Sequence, residues 1–286
     1  MKLKKLLATG LAAIMVMGLV GCSSSKGSSS SASSDASSSA AKTEKLQQIK
    51  DAGVLKVGTS AEYSPYEFHK VVDGEDKIVG FDDFVVQEIA KDMGVKVEYE
   101  DMDFDGLLGA LQADKVDIVL AGMTPDEKRK KSVDFSEIYY TNSNVCIVAK
   151  GKEDSIKSSD DLKKLKVGVQ KGSTQADYVT NTLGITDATQ LKRIPDLMLE
   201  LQNGKIDVIV TGKAVAEINV KKYDNIAIGN TTVGDEVAET AAAAIKKSSN
   251  GVDNTSFVKS VNDTIKRLED SGDMDKYMEE ALKLAE

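Results

Sequence analysis

Leu107–Met123 reads LLGALQADKVDIVLAGM, and Leu197–Lys213 reads LMLELQNGKIDVIVTGK. Aligned without a gap, the two stretches lie 90 residues apart. Leu107, Leu111, Gln112, Lys115, Asp117 and Gly122 recur as Leu197, Leu201, Gln202, Lys205, Asp207 and Gly212. A second echo precedes it: Leu55-Lys56-Val57-Gly58 returns as Leu165-Lys166-Val167-Gly168, 110 residues on. Unequal offsets exclude a solenoid, whose period is constant and shorter. Two similar α/β lobes are the simpler reading. Two lobes imply a cleft, and clefts are where small ligands bind.

Helical and strand patterns alternate on either side of these echoes. Leu46 and Ile49 before Gly53 predict a short helix with a glycine stop, and Val54–Gly58 a strand. Val85, Ile89 and Met93 at four-residue spacing predict a helix over Asp82–Met93, then a strand over Val95–Glu100. Leu107, Leu108 and Leu111 mark a further helix with Asp105 as its cap, and Val116–Ala121 reads as a buried parallel strand. In the second half, Asp160–Leu165, Gln175–Thr182, Asp196–Asn203 and Lys213–Lys222 read as helices, with strands at Lys166–Gln170 and Ile206–Thr211. Tandem units of this kind favour parallel sheets covered by helices. Val237–Lys246 is an extended apolar segment, followed by two helices marked by Phe257, Val261, Ile265, Leu268 and by Tyr277, Ala281, Leu284. The best linker candidates are Thr141–Asn144 and Thr232–Glu236, and two connections permit hinge closure. The expected organisation is lobe one over 44–141 and 236–286, and lobe two over 142–235.

The N-terminus reads as a targeting segment over residues 1–21: Lys2, Lys4 and Lys5, then an apolar stretch from Leu6 to Val20. Leu19-Val20-Gly21-Cys22 matches the bacterial lipobox, so Cys22 is the expected lipidation site, carrying acyl chains such as palmitate. Residues 22–43 are Ser-rich and read as a flexible tether. Without residues 1–21, 34 Lys and Arg face 46 Asp and Glu, a formal charge of −12. That argues against nucleic acid and against anionic headgroups as partners. With Cys22 lipidated, Cys146 has no disulfide partner, and its run Val145–Ala149 reads as a buried strand. The single His69 and the lack of Cys clusters argue against a metal, and no cofactor is implied.

Thr124-Pro125-Asp126-Glu127 has the form of a capping box. A helix start at the end of a parallel strand would offer unpaired N–H groups to an anion. Arg129 follows, and a guanidinium can hold a carboxylate bidentately. The alternative is that Lys128-Arg129-Lys130-Lys131 is only a solvated face. Gly172-Ser173-Thr174-Gln175 stands as the counterpart in the second half, either an ordinary helix cap or a second contributor of N–H groups. Ala61–Phe68 gathers aromatics, and Tyr63 or Tyr66 could cover a ligand; Phe104 reads as cleft wall or core. There is no Ser/His/Asp set, no Cys/His pair and no phosphate-cradling glycine loop.

Taken together, Gly58–Phe68, Met102–Leu108, Ala121–Thr124 through Arg129–Ser136 and Gly172–Gln175 resemble the polar amino-acid-binding proteins of ABC importers, solute-binding protein family 3. The resemblance implies a periplasmic-binding-protein type II fold: two α/β lobes joined by a two-strand hinge around the ligand. It implies that Arg129 clasps an α-carboxylate, with Thr124 N–H and Thr174, and that the Gly122 carbonyl and Thr124 hydroxyl take the α-ammonium beside Ala121. Tyr63 and Phe104 would sandwich the side chain, with Ser60, Gln170 and Gln175 sensing it. Two departures stand out. Relatives usually carry an ammonium-pairing Asp where this chain has Gly212, and those that bind basic side chains often carry an acid where Ser60 stands. Glu62 and Glu217 are the candidate replacements for that Asp.

The resemblance thus implies a monomeric, lipid-anchored extracytoplasmic protein that binds a free, polar amino acid and hands it to a permease and its ATPase. It is not expected to be an enzyme. The alternatives are a cyclohexadienyl-dehydratase-like enzyme on the same fold or a ligand-sensing domain for a membrane receptor.

Overall fold

The computed structural model describes residues 43–234, 238–249 and 251–286. The expected leader, the expected lipidation site Cys22 and the expected tether as far as residue 42 lie outside the described residues, while Thr43 pairs with Val252 in a short parallel ladder.

The first sheet has five strands in the order Lys96–Asp101, Val54–Thr59, Ile118–Val119, Ala244–Lys246 and Val133–Phe135. The second has the order Thr189–Leu191, Val167–Gln170, Val208–Gly212, Asn144–Ala149 and Ile226–Thr232. Both sheets are mixed rather than purely parallel. Ala244–Lys246 runs antiparallel to its neighbours in the first sheet, and Asn144–Ala149 does so in the second. The physical reason lies in the crossings: each reversed strand directly follows a hinge strand, so it enters its sheet from the cleft end.

The echoes seen in the sequence carry a specific packing device. In both lobes an Asp clasps the backbone of the neighbouring strand: Asp117 Oδ2 accepts from Lys56 N at 2.9 Å, and Asp207 Oδ2 from Lys166 N at 2.8 Å. The glycine two residues after each lysine lets a helix press onto the strand. A methyl group on Gly58 would lie 3.3 Å from Leu107 Cδ2, and one on Gly168 3.0 Å from Leu197 Cδ2 and 2.5 Å from Ile206 Cδ1. The recurring residues therefore recur because each lobe joins its helix to its inner strand in the same way.

Helix Phe81–Met93 buries Phe81, Val85, Ile89 and Met93 and stops at Gly94, whose φ of 73° lies in the left-handed region that glycine tolerates. Helices Thr255–Ser271 and Asp273–Ala285 return over the first lobe, burying Phe257, Val261, Ile265 and Leu268 at helical spacing. Each such side chain contributes about 1.5–3 kcal/mol. The hinge is a two-stranded ribbon, Tyr140–Asn142 antiparallel to Glu239–Ala241, with Glu239 opposite Asn142.

Two local expectations are corrected. The capping-box sequence Thr124–Glu127 starts no α-helix; only a three-residue 3-10 turn, Arg129–Lys131, follows. Thr124 spends its hydroxyl on the hinge instead, donating to Thr240 O at 2.8 Å, so it is not a cap. Asp105 caps nothing, because it sits inside the turn Phe104–Gly106 and its carboxylate pairs with Lys171 at 2.8 Å. Of the linker candidate Thr232–Glu236, Thr232 ends strand Ile226–Thr232 and Val233 N bonds Asn144 O in the second sheet, while Asp235 and Glu236 lie outside the described residues.

Candidate functional site

Between the lobes lies a small cavity, with room for about 10 Å³, lined by Tyr63, Phe104, Ala121, Gly122, Thr124, Arg129, Gln170, Ser173, Thr174, Gln175 and Glu239. The strand ends supply most of these. Ala121 and Gly122 follow Ile118–Val119, Gln170 closes Val167–Gln170, and Ser173 caps the helix Thr174–Asp177 by accepting from Ala176 N at 3.0 Å. Gly122 takes φ 53°, and its N–H donates to the buried Asp82 at 2.7 Å. Asp82 also accepts from Tyr139 Oη at 2.9 Å, and burial raises its pKa to about 7.

Arg129 is buried and braced from both sides. Nη1 donates to Thr124 O at 2.6 Å, Nη2 donates to Gly172 O on the other lobe at 2.9 Å, and Nε stands 3.4 Å from Asp126. Its guanidinium carbon lies 5.4 Å from the centre of the Phe104 ring. A guanidinium has five N–H donors, so this bracing leaves capacity for a bound anion. Burial pulls its pKa down, opposed by Asp126 and Asp177.

Glu239 is an acid on the cavity wall that sequence reasoning missed. It arrives on the hinge strand, is almost wholly buried and receives Tyr63 Oη at 2.9 Å through Oε1. Its Oε2 has no hydrogen-bond partner, although Tyr66 stands near enough to ease its charge. Burial raises its pKa to about 7. The available signal was a lone acid at the start of the apolar run Glu239–Ile245. Gly212, the expected acid position, does not line the cavity. The Glu239 carboxylate fills the space in which its side chain would grow: a Cβ there would lie 1.8 Å from Oε1.

Neither candidate replacement acid serves. Glu217 sits on an outer helix face, 3.7 Å from Lys213. Glu62 instead bridges the lobes, with Oε1 accepting from Gln170 Nε2 at 2.7 Å and Oε2 from Ile194 N at 2.8 Å. Burial raises its pKa to about 7, with the Ile194 N–H acting against the rise. Ser60 is buried but does not line the cavity. Gln175 does line it, and its amide is held by Asn144 Oδ1 at 2.7 Å. Thr174 lies beside it, its hydroxyl 3.4 Å from Gln175 Oε1. Tyr63 stacks on the buried Tyr66, ring centres 5.5 Å apart, so one ring faces the cavity and the other packs behind it.

The lobes are also joined around the rim. Lys128 pairs with Asp177 at 2.9 Å, Lys171 with Asp105 at 2.8 Å and Lys192 with Asp103 at 2.6 Å. Among the described residues no group of three or more His, Cys, Asp or Glu could hold a metal ion. Cys146 is buried in its strand, which pushes its thiol up to about 12.

A family model for bacterial extracellular solute-binding proteins, family 3, matches residues 55–283. The chain belongs to that family. It is 38% identical over 227 residues to the arginine-binding extracellular protein ArtP of Bacillus subtilis, covering 78% of this chain and 83% of that protein. It is 33% identical over 226 residues to a probable histidine-binding protein of Neisseria gonorrhoeae, covering 78% and 81%. Among solved structures it resembles the amino acid ABC transporter substrate-binding protein AbpA of Streptococcus pneumoniae, bound to L-arginine, with a TM-score of 0.77, 32% identity and coverage of 84% and 98%. This family member is thus an extracytoplasmic solute-binding protein of an ABC transporter with the type II fold, two α/β lobes on a two-strand hinge. Among its described residues no helix is long and apolar enough to cross a membrane.

Proposed function

We propose that this protein captures a free polar L-amino acid between its lobes and delivers it, by hinge closure, to a permease and its ATPase. The observation that supports this best is Arg129. A buried guanidinium on the wall of a small cavity, braced by a carbonyl from each lobe, offers its remaining N–H groups to a carboxylate and draws the lobes together as it does so. In this reading Ala121, Gly122, Thr124, Arg129 and Thr174 hold the backbone of the amino acid, while Tyr63, Phe104, Gln170 and Gln175 meet its side chain. Lobe one is 44–141 with 236–286, and lobe two is 142–235. The protein works as a monomer tethered by lipid on Cys22.

A thermal-shift screen of the twenty amino acids and L-cystine tests the proposal. A ligand at 100 times its Kd should stabilise the protein by about 2.7 kcal/mol. If none of them shifts the melting temperature, the amino-acid reading fails.

A further inference from the structure

Glu239 lines the cavity with one carboxylate oxygen unbonded. A buried carboxylate normally has both oxygens satisfied, since an unpaired buried charge is strongly disfavoured. Here one oxygen is held by Tyr63, and the other, Oε2, lacks any hydrogen-bond partner while the residue lines the cavity. Among the described residues no Lys or His lines that cavity, and the one cation there, Arg129, is braced by Thr124, Gly172 and Asp126. The Tyr66 hydroxyl stands near Oε2, but like Tyr63 it is neutral, so the counter-charge is still missing and a cation brought in by the ligand would supply it.

The backbone of the opposing strand makes room for this arrangement. Any side chain at 212 would overlap the Glu239 carboxylate, with a Cβ lying 1.8–2.1 Å from its three carboxyl atoms. Glycine at 212 and glutamate at 239 are thus one unit: the acid reaches the cavity because residue 212 has no side chain.

We propose that Glu239 is the counter-charge for the α-ammonium of the bound amino acid, delivered from the hinge strand into space vacated by Gly212. This rests on the amino-acid reading above. It also narrows the ligand. Among the described residues, Arg129 and Glu239 are the only charged ones lining the cavity. With one committed to each end of the zwitterion, no charge is left for the side chain, which is therefore neutral and meets Gln170, Ser173, Thr174 and Gln175.

Calorimetry with L-glutamine, L-serine, L-histidine, L-arginine and L-cystine tests this, followed by the desamino acid matching the tightest binder (glutaramate for L-glutamine, for example). The wild-type protein is expected to prefer the amino acid over its desamino form by 100-fold or more, with a neutral side chain binding best. Glu239→Gln should cut that preference at least tenfold. A purely structural role would weaken both forms equally and leave the ratio unchanged. The double variant Gly212→Asp/Glu239→Ala, which moves the carboxylate to the other strand, should regain the preference. An unchanged ratio in Glu239→Gln, or L-arginine as the tightest binder, overturns the proposal while leaving amino-acid capture intact. Failure of these five and of every other amino acid in the thermal screen to bind the wild-type protein removes both.

Discussion

Glu62→Gln should tighten amino-acid binding, and the effect should depend on pH. Glu62 belongs to the first lobe, and both its partners, Gln170 and the N–H of Ile194, belong to the second. Closing the lobes therefore takes this carboxyl out of water. Its pKa is about 7 in the closed form against an ordinary 4.5. At about 1.4 kcal/mol per pH unit, the ionised group makes closure about 3 kcal/mol less favourable than the neutral one. That is on the order of 100-fold in the closure equilibrium, and the remaining solvent access to Glu62 brings it toward tenfold. The sign follows from linkage. A carboxyl with a raised closed-state pKa binds a proton on closure, so its contribution favours closure below about 4.5 and is lost as pH rises through about 7. Glutamine is neutral at every pH, can still accept from Ile194 N and can donate to Gln170 Oε1 once the Gln170 amide turns over, giving up its 3.2 Å bond to Lys192 O. Calorimetric titration of wild type and Glu62→Gln with the amino acid that the thermal screen returns should show the variant binding roughly tenfold tighter near pH 8, with the advantage shrinking to a few-fold near pH 5. A ratio independent of pH, or weaker binding by the variant near pH 8, would refute the reasoning and make Glu62 an ordinary surface acid.

Arg129→Ala should abolish binding, with a loss of about 2–5 kcal/mol by calorimetry, because the guanidinium both meets the carboxylate and ties Thr124 to Gly172; unchanged affinity would exclude the clasp. Gly168→Ala should lower stability by about 1–3 kcal/mol in a denaturant melt, since its methyl group would meet Ile206 Cδ1 at 2.5 Å and Leu197 Cδ2 at 3.0 Å; a neutral result would mean that helix Ile194–Gln202 can slide. Raising salt from about 0.05 to about 0.5 M should weaken binding only a few-fold, because the rim pairs Lys128–Asp177, Lys171–Asp105 and Lys192–Asp103 are solvent-exposed; a change of three orders of magnitude would show the rim to dominate closure. Asp82 and Glu239 both titrate at about 7 when folded, above ordinary values of 3.8 and 4.5. Their contribution to folding is therefore present at low pH and lost as pH rises through about 7, so the unliganded protein should melt at a lower temperature near pH 8 than near pH 5.5. The reverse order would show that these acids are ionised without penalty.

The local order of the chain was legible in the sequence because it is encoded at short range. Helices over Phe81–Met93, Lys213–Lys222 and Thr255–Ser271 follow from spacing that any helix with one buried face must have. The paired echoes were legible for a stronger reason. Asp117 with Lys56 and Asp207 with Lys166 are the same contact made twice, so the residues that make it recur in order. Arg129 was legible too, as a cation after a strand end. The expected helix at Thr124 was not, because a capping-box pattern competes with any stronger partner, and the hinge strand at Thr240 provided one for the hydroxyl.

The sequence alone determined two α/β lobes, the residues that fasten helix to strand in each, and most of the side chains around the cavity. It also exposed a missing acid at Gly212 without indicating what fills its place. Only the tertiary structure decided that. Glu239 lies in a different segment and reaches the site because two hinge strands, nearly a hundred residues apart, pair with Glu239 opposite Asn142. Spacing along a chain carries no trace of such a meeting. Strand register sets it, together with the space that a glycine leaves open.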